Sequence, residues 1–303
     1  DNKSGKYSYK GTLNTSQFDV GLLTQTPGLG VISMDANVEG SGFKIADVNA
    51  SLSGKVGLVV YRGYPYRNVN VKGKIAKKLF NGTVDIHEED VDFTFDGGVD
   101  FRGKLPVFDF TATINKLQLE KLNVIQLEEP YSLKTSVNSR LVGNKLDDLS
   151  GTVDILNTFL QVDKKMYYLK EVRLDADRLD NGQRSLLLSS DILDASFNGY
   201  FEFAKLPAAF REIIPRYLPN VLLPIKGAST TEEFTFSVEL KNTAVVTENF
   251  FPQFYFDPAT RLYGAVHAAQ KSFDIHLDAP ELRYKTARWL DLTTEFSAQG
   301  SSM

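Results

Sequence analysis

The side chains that could carry chemistry are few and scattered. The three histidines are His87, His267 and His276. His87 stands in His87-Glu88-Glu89-Asp90, which reads as a charged, solvated turn. His276 falls on the polar side of an alternating stretch. Both read as surface residues and not as ligands. Asp175, Asp177, Asp180 and Asn181-Gly182 resemble a calcium loop only superficially, because Leu179 stands where a third ligand is needed and no glutamate follows at the right distance. An acidic hairpin turn is the better reading. Gly28-Leu29-Gly30 lacks the third glycine of a dinucleotide fingerprint. There is no GxSxG elbow, no GxxxxGK[ST] loop and no HExxH pair. Lys77-Lys78 is too small a patch to hold a phosphate backbone. Cysteine is absent, which removes disulfides, zinc thiolates and thiol catalysis. The chain is not expected to be an enzyme, to hold a metal ion or to need a cofactor.

The remaining candidate is a surface. Apolar residues recur with period two almost throughout, which gives each strand one apolar and one wet side. The inward set is Val69, Val71 and Ile75; Val84 and Ile86; Val91, Phe93 and Phe95; Phe101; Phe108 and Phe110. It continues through Val153 and Ile155; Val172 and Leu174; Phe197, Phe201 and Phe203; Phe234 and Phe236; Phe273 and Ile275. Phenylalanine is abundant, at 21 residues. Such a face either packs against a second sheet, as in a sandwich, or stays open as a groove for a lipid chain. Short connections throughout argue for a meander, and only one helix is expected to help cover the bulky side chains.

The elements that would position this face are strands and turns. Residues 1–42 are weakly patterned. Two strands, 45–52 and 56–60, are expected on either side of Ser53-Gly54-Lys55. Residues 61–67 (YRGYPYR) read as a loop, Gly97-Gly98 as a turn, and 117–127 as a strand. The segment Gly82-Thr83-Val84-Asp85-Ile86 recurs letter for letter as Gly151-Thr152-Val153-Asp154-Ile155. Looser copies, apolar-x-Gly-x-apolar, lie at 197–201 and 262–266, which suggests a sheet built by repetition. The helix is expected at 207–218, opened by Pro207, kinked at Pro215 and ended by Pro219. Its apolar stripe is Phe210, Ile213, Ile214, Tyr217 and Leu218, suited to plugging the groove or capping the sheet. Strands resume over 228–296.

With 303 residues and a net charge of -4, the chain can bury a sizeable core and has no basic excess for nucleic acid. No run reaches the roughly 18 apolar residues of a membrane-spanning helix. The polar start and the SAQGSSM end suggest a piece of something longer. The expected fold class is all-β: one continuous, long, curved antiparallel half-pipe (a β-taco) over 1–303 with an apolar concave groove.

Residues 68–219 resemble the TamB (translocation and assembly module) family of AsmA-like envelope proteins. The resemblance rests on YYLK-x-V-x-L-x-A at 167–176, S-D-x-L-D-A-x-F-x-G at 190–199 and the proline-bounded helix. It implies a periplasmic segment of a bridge that conducts phospholipid between inner and outer membranes. It also implies an inner-membrane anchor and an Omp85-type barrel partner, both engaged through regions outside this chain. The family has no catalytic residues to carry over. A scaffold or chaperone for outer-membrane β-barrel assembly, and a closed β-sandwich binding domain, stay open as alternatives.

Overall fold

The computed structural model of the chain describes residues 7–24, 27–42, 47–123, 130–179, 181–205, 232–270 and 272–298. The expected helix at 207–218 lies outside the described residues. Seventeen strands among those described belong to one antiparallel sheet, which is open and not closed into a barrel. A sandwich would need a second sheet, and the described strands form none. The chain divides into two compact units, residues 1–142 with 153–168, and residues 143–152 with 169–303.

The first unit is a meander of long hairpins: β1 (Ser8–Asp19), β2 (Leu29–Ser41), β3 (Asn49–Tyr61), β4 (Tyr64–Ala76), β5 (Leu79–His87), β6 (Val91–Asp100), β7 (Val107–Gln118) and β8 (Tyr131–Val142). Each of these pairs with the next in chain order. The following strand, β9 (Ser150–Val162), places Thr158 against Thr135 of β8, with the two hydroxyls 2.8 Å apart. A five-residue helix, α1 (Val20–Thr24), joins β1 to β2.

The sequence marks several turns where the chain runs straight. Residues 61–67 are no loop. Arg62 and Gly63, with φ of 49° and 82°, make a two-residue turn, and β4 starts at Tyr64. Turns with both central φ values positive match the twist of paired strands. Gly54 and Gly97-Gly98 are not breaks either, since β3 and β6 pass through them. Residues 119–123 are a turn and not part of a strand, because β7 ends at Gln118; residues 124–129 lie outside the description.

The glycines inside strands have a physical reason. A Cβ on Gly54 would lie 2.4 Å from the Ala36 Cα, and one on Gly82 2.4 Å from the Gly73 Cα. Cβ atoms of ordinary cross-strand pairs sit about 4.5–5.5 Å apart. The neighbouring backbone therefore leans over the sheet at these points, and only a residue without a side chain fits.

The second unit continues in the same manner with β10 (Lys165–Arg178), β11 (Arg184–Ser190), β12 (Leu193–Tyr200), β13 (Glu233–Leu240), β15 (Arg261–His267), β16 (Ser272–Tyr284) and β17 (Ala287–Ala298). The short β14 (Phe254–Phe256) pairs with the far end of β16, beyond the reach of β15. A seven-residue helix, α2 (Ala244–Phe250), precedes it; the alternation of its neighbours gave no sign of it. The looser repeat copies align structurally. Gly199 and Gly264, like Gly82, stand where a Cβ would meet the adjacent strand's backbone, 2.2 Å from the Glu233 oxygen and 2.0 Å from the Asp274 oxygen.

Candidate functional site

The registers sort the side chains of the first unit cleanly by face. One row across the sheet reads Ala36, Gly54, Val71, Val84, Phe95, Ala112 and Val137. The next position along on the opposite face reads Asn37, Ser53, Lys72, Thr83, Asp96, Thr111 and Asn138. Period-two patterning in the sequence becomes a largely apolar face, which also takes in Thr135 and Ser139 of β8, and a largely polar one. Val69, Val71, Ile75, Val84, Ile86, Phe93, Phe95, Phe108 and Phe110 all lie on the apolar face.

That face is not uniform. At one end Val69, Ile86 and Val91 are buried together with Val56 and with Leu122, which is 1% exposed. Leu122 belongs to the 119–123 turn, so this segment covers the face there. Lys121 holds it down through a 2.7 Å ion pair with Asp90. The Tyr64 hydroxyl approaches Asp90 at 3.4 Å and Glu88 at 3.5 Å. Burial, with the two carboxylates adding to it, pushes the Tyr64 phenol up to about 12. The acidic turn is thus a clasp and more than a solvated bend. Toward the other end the face opens. Phe80, Phe108 and Phe110 are only half-buried, and Phe101, beyond the end of β6, is 52% exposed with its ring edge against Phe108. Between the two ends Gly73, Gly82 and Gly97 stand side by side on β4, β5 and β6. Rings flank this seam: Phe80 and Phe110 lie 6.1 and 5.1 Å from Phe95, centroid to centroid.

In the second unit the rings turn on one another. Phe201, Phe234 and Phe236 are buried with Ala176, Leu186 and Val266; Leu174, Phe197, Phe203, Phe273 and Ile275 pack against them. Phe197 and Phe236 stack at 6.1 Å, and Phe201 lies 5.7 Å from Phe234. Val172 sits half-buried on β10, and Val153 and Ile155 half-buried on β9. The stripe Phe210, Ile213, Ile214, Tyr217 and Leu218 lies outside the described residues.

Alternation could not single out Arg184, which occupies an inward position of β11 two residues from Leu186. It is 7% exposed. Its guanidinium donates to the Leu146 and Phe201 carbonyls at 2.8 and 3.1 Å and to Asp147 at 3.2 Å, and lies over the Phe201 ring at 5.0 Å. Asp147 also accepts the Phe203 and Ala204 N–H groups. Burial would raise the Asp147 pKa. The two N–H donors and the guanidinium outweigh burial and hold it below the usual value.

On the polar face Asp274, His276 and Glu295 bring ligand atoms within 4.8 Å of one another. The ring of His276 stacks on Tyr263 at 4.9 Å and its Nε2 bonds Asp274 at 3.0 Å. Both carboxylates are exposed, and an ordinary surface cluster accounts for them. His87 likewise pairs with Asp92 at 2.9 Å. A depression of about 540 Å³ crosses β1 to β4, but charged residues such as Lys10, Glu39, Lys72 and Lys74 line it. Among the described residues, no helix is long and apolar enough to cross a membrane. No family model matches the chain, and neither curated proteins nor solved structures give a match.

Proposed function

We propose that the chain is a non-catalytic lipid-contact segment that receives phospholipid acyl chains on its apolar sheet face, as the resemblance to the TamB family implies. The observation that carries the reading is the division of the first unit's faces into a largely apolar and a largely polar one, with half-buried phenylalanines on the apolar side of an open sheet. An acyl chain covering such surface gains roughly 25 cal/mol per Å², or about 0.8 kcal/mol per buried methylene. The periplasmic setting, the inner-membrane anchor and the Omp85-type partner belong to the same proposal. The half-buried end around Phe108 and Phe110 is the region for loading. The buried phenylalanines of the second unit serve its core, so Phe201 is not a residue to alter as a test of loading.

The experiment is site-specific photocrosslinking in the bacterial envelope. A benzophenone amino acid at Phe110 is expected to capture phospholipid; one at Thr111, on the other face, is not. Phe108→Asp and Phe110→Asp are expected to cut co-purified phospholipid at least several-fold with circular dichroism unchanged. Equal lipid capture from both faces would remove the proposal.

A second reading has its own observation. β17 ends the second unit's ladder with Trp289, Leu290 and Phe296 exposed at 42, 57 and 49%. Natural edges are usually blunted by charge or proline. A client strand could pair there, as an assembly scaffold requires. Crosslinking from Leu290 to a β-barrel protein, with no lipid captured at Phe110, would favour it.

A further inference from the structure

The second unit contains a polar cavity of about 380 Å³ beside the phenylalanine cluster, lined by Asp147, Arg178, Arg184, Phe201, Lys205 and Glu232 among others. Glu232 is 3% exposed, and its Oε2 has no hydrogen-bond partner among the described residues. A buried carboxylate oxygen without a donor is costly, and native structures rarely keep one idle. Lys205 acts on it electrostatically, but no nearby cation hydrogen-bonds it among the described residues. Arg184 is committed to Asp147, and Lys205 to Glu202 at 2.7 Å. Arg178, at the rim end of β10, is exposed and has no ion pair among the described residues. Among the described residues, the cavity therefore offers one buried carboxylate oxygen lacking a donor and one guanidinium lacking an ion pair. Glu232 is not part of the group of side chains close enough together to share a metal ion. An ammonium group fits Glu232, and a phosphate fits Arg178. Phe201 belongs both to the cavity wall and to the buried apolar cluster.

We infer that this cavity is a binding site for a phosphoethanolamine group, the headgroup of an ethanolamine phospholipid. The lipid source rests on the function proposed above; the chemistry of the cavity does not.

Two measurements on the whole chain separate the ideas. In the first, O-phosphoethanolamine is titrated calorimetrically into the wild-type protein, Glu232→Gln and Arg178→Gln. Saturable binding by the wild type is expected, weakened at least tenfold in each variant; Arg178 is exposed, so its variant reports even if Glu232→Gln folds poorly. In the second, lipid uptake is compared from vesicles of phosphatidylglycerol alone and of phosphatidylethanolamine with phosphatidylglycerol. Preferential uptake of the ethanolamine lipid, lost in both variants, supports a headgroup site. Uptake of both lipids without preference, and no binding of O-phosphoethanolamine, overturns the cavity assignment while leaving the apolar face as a lipid surface. Binding of O-phosphoethanolamine without uptake of either lipid keeps the cavity for the free small molecule and overturns the lipid source.

Discussion

Replacing Arg184 with alanine is expected to destabilise the second unit by about 3–5 kcal/mol, the usual cost of removing one partner from a buried ion pair. The guanidinium joins three stretches of chain: the turn at 146–147, β11 and the segment after β12. Its loss leaves the Leu146 and Phe201 carbonyls and the Asp147 carboxylate short of donors in a place where water has little access. Lysine is not an adequate substitute, since it cannot divide fixed donors among three acceptors and lie flat over Phe201. Arg184→Lys should recover less than half of the loss. Urea unfolding followed by near-ultraviolet circular dichroism, which the packed phenylalanines and tyrosines dominate, gives the measurement. A change below about 1 kcal/mol would mean the knot is decorative.

The same knot has a pH signature. Because the Asp147 pKa is lowered on folding, its stabilisation is fully present above the unfolded carboxyl value of about 3.9 and is lost as pH falls through the lowered folded value. Asp147→Asn should therefore flatten the fall of the melting temperature between pH 5 and pH 2. Other depressed carboxylates, such as Glu281 at about 2 beside Arg283 and Arg288, retain their share of that fall. A variant curve parallel to the wild type's would rule out the coupling.

How much of this was legible in the sequence follows from what period-two patterning records. It records which side of a strand faces away from water, and the apolar face from Val69 to Phe110 was readable for that reason. It does not record what covers that face. Leu122 lies in a stretch, LQLEKL, that alternates well enough to pass for strand, yet it folds over as a turn because Lys121 and the Gln118 carbonyl tie it down. Arg184 kept the alternation of β11 while breaking its chemistry, so only its contacts reveal it. The glycines misled in the other direction. Ser53-Gly54-Lys55 and Gly97-Gly98 have turn composition, and nothing local says that a neighbouring strand needs the space. Glu232 lies just after residues outside the description, and an orphan oxygen is a property of packing that no spacing encodes.

The seam of Gly73, Gly82 and Gly97 leads to the last expected result: Gly97→Val should cost the first unit about 2–6 kcal/mol. A Cβ there would lie 2.4 Å from the Asp109 oxygen and 2.5 Å from the Phe110 Cα. These are backbone atoms, so no side chain can swing aside. Overpacking of this kind costs about 1–3 kcal/mol. The φ of 138° at Gly97 adds to it, because that region is open to glycine and strained for valine, by roughly 1–3 kcal/mol. A melting-temperature drop of roughly 4–24 °C follows for a unit of this size. Gly11→Ala on β1 is the control, since nothing lies within 4 Å of a Cβ at that position; it should be neutral or stabilise by about 0.5 kcal/mol. The outcome bears on function as well as stability. Where the backbone leans over the apolar side, the rings of Phe80 and Phe110 both reach that of Phe95, at 6.1 and 5.1 Å between centroids. A valine that forced the strands apart would spread those rings even in protein that still folds. Lipid capture at Phe110 should then fall together with the melting temperature. Full capture by a destabilised Gly97→Val protein would show that the close approach serves only the fold.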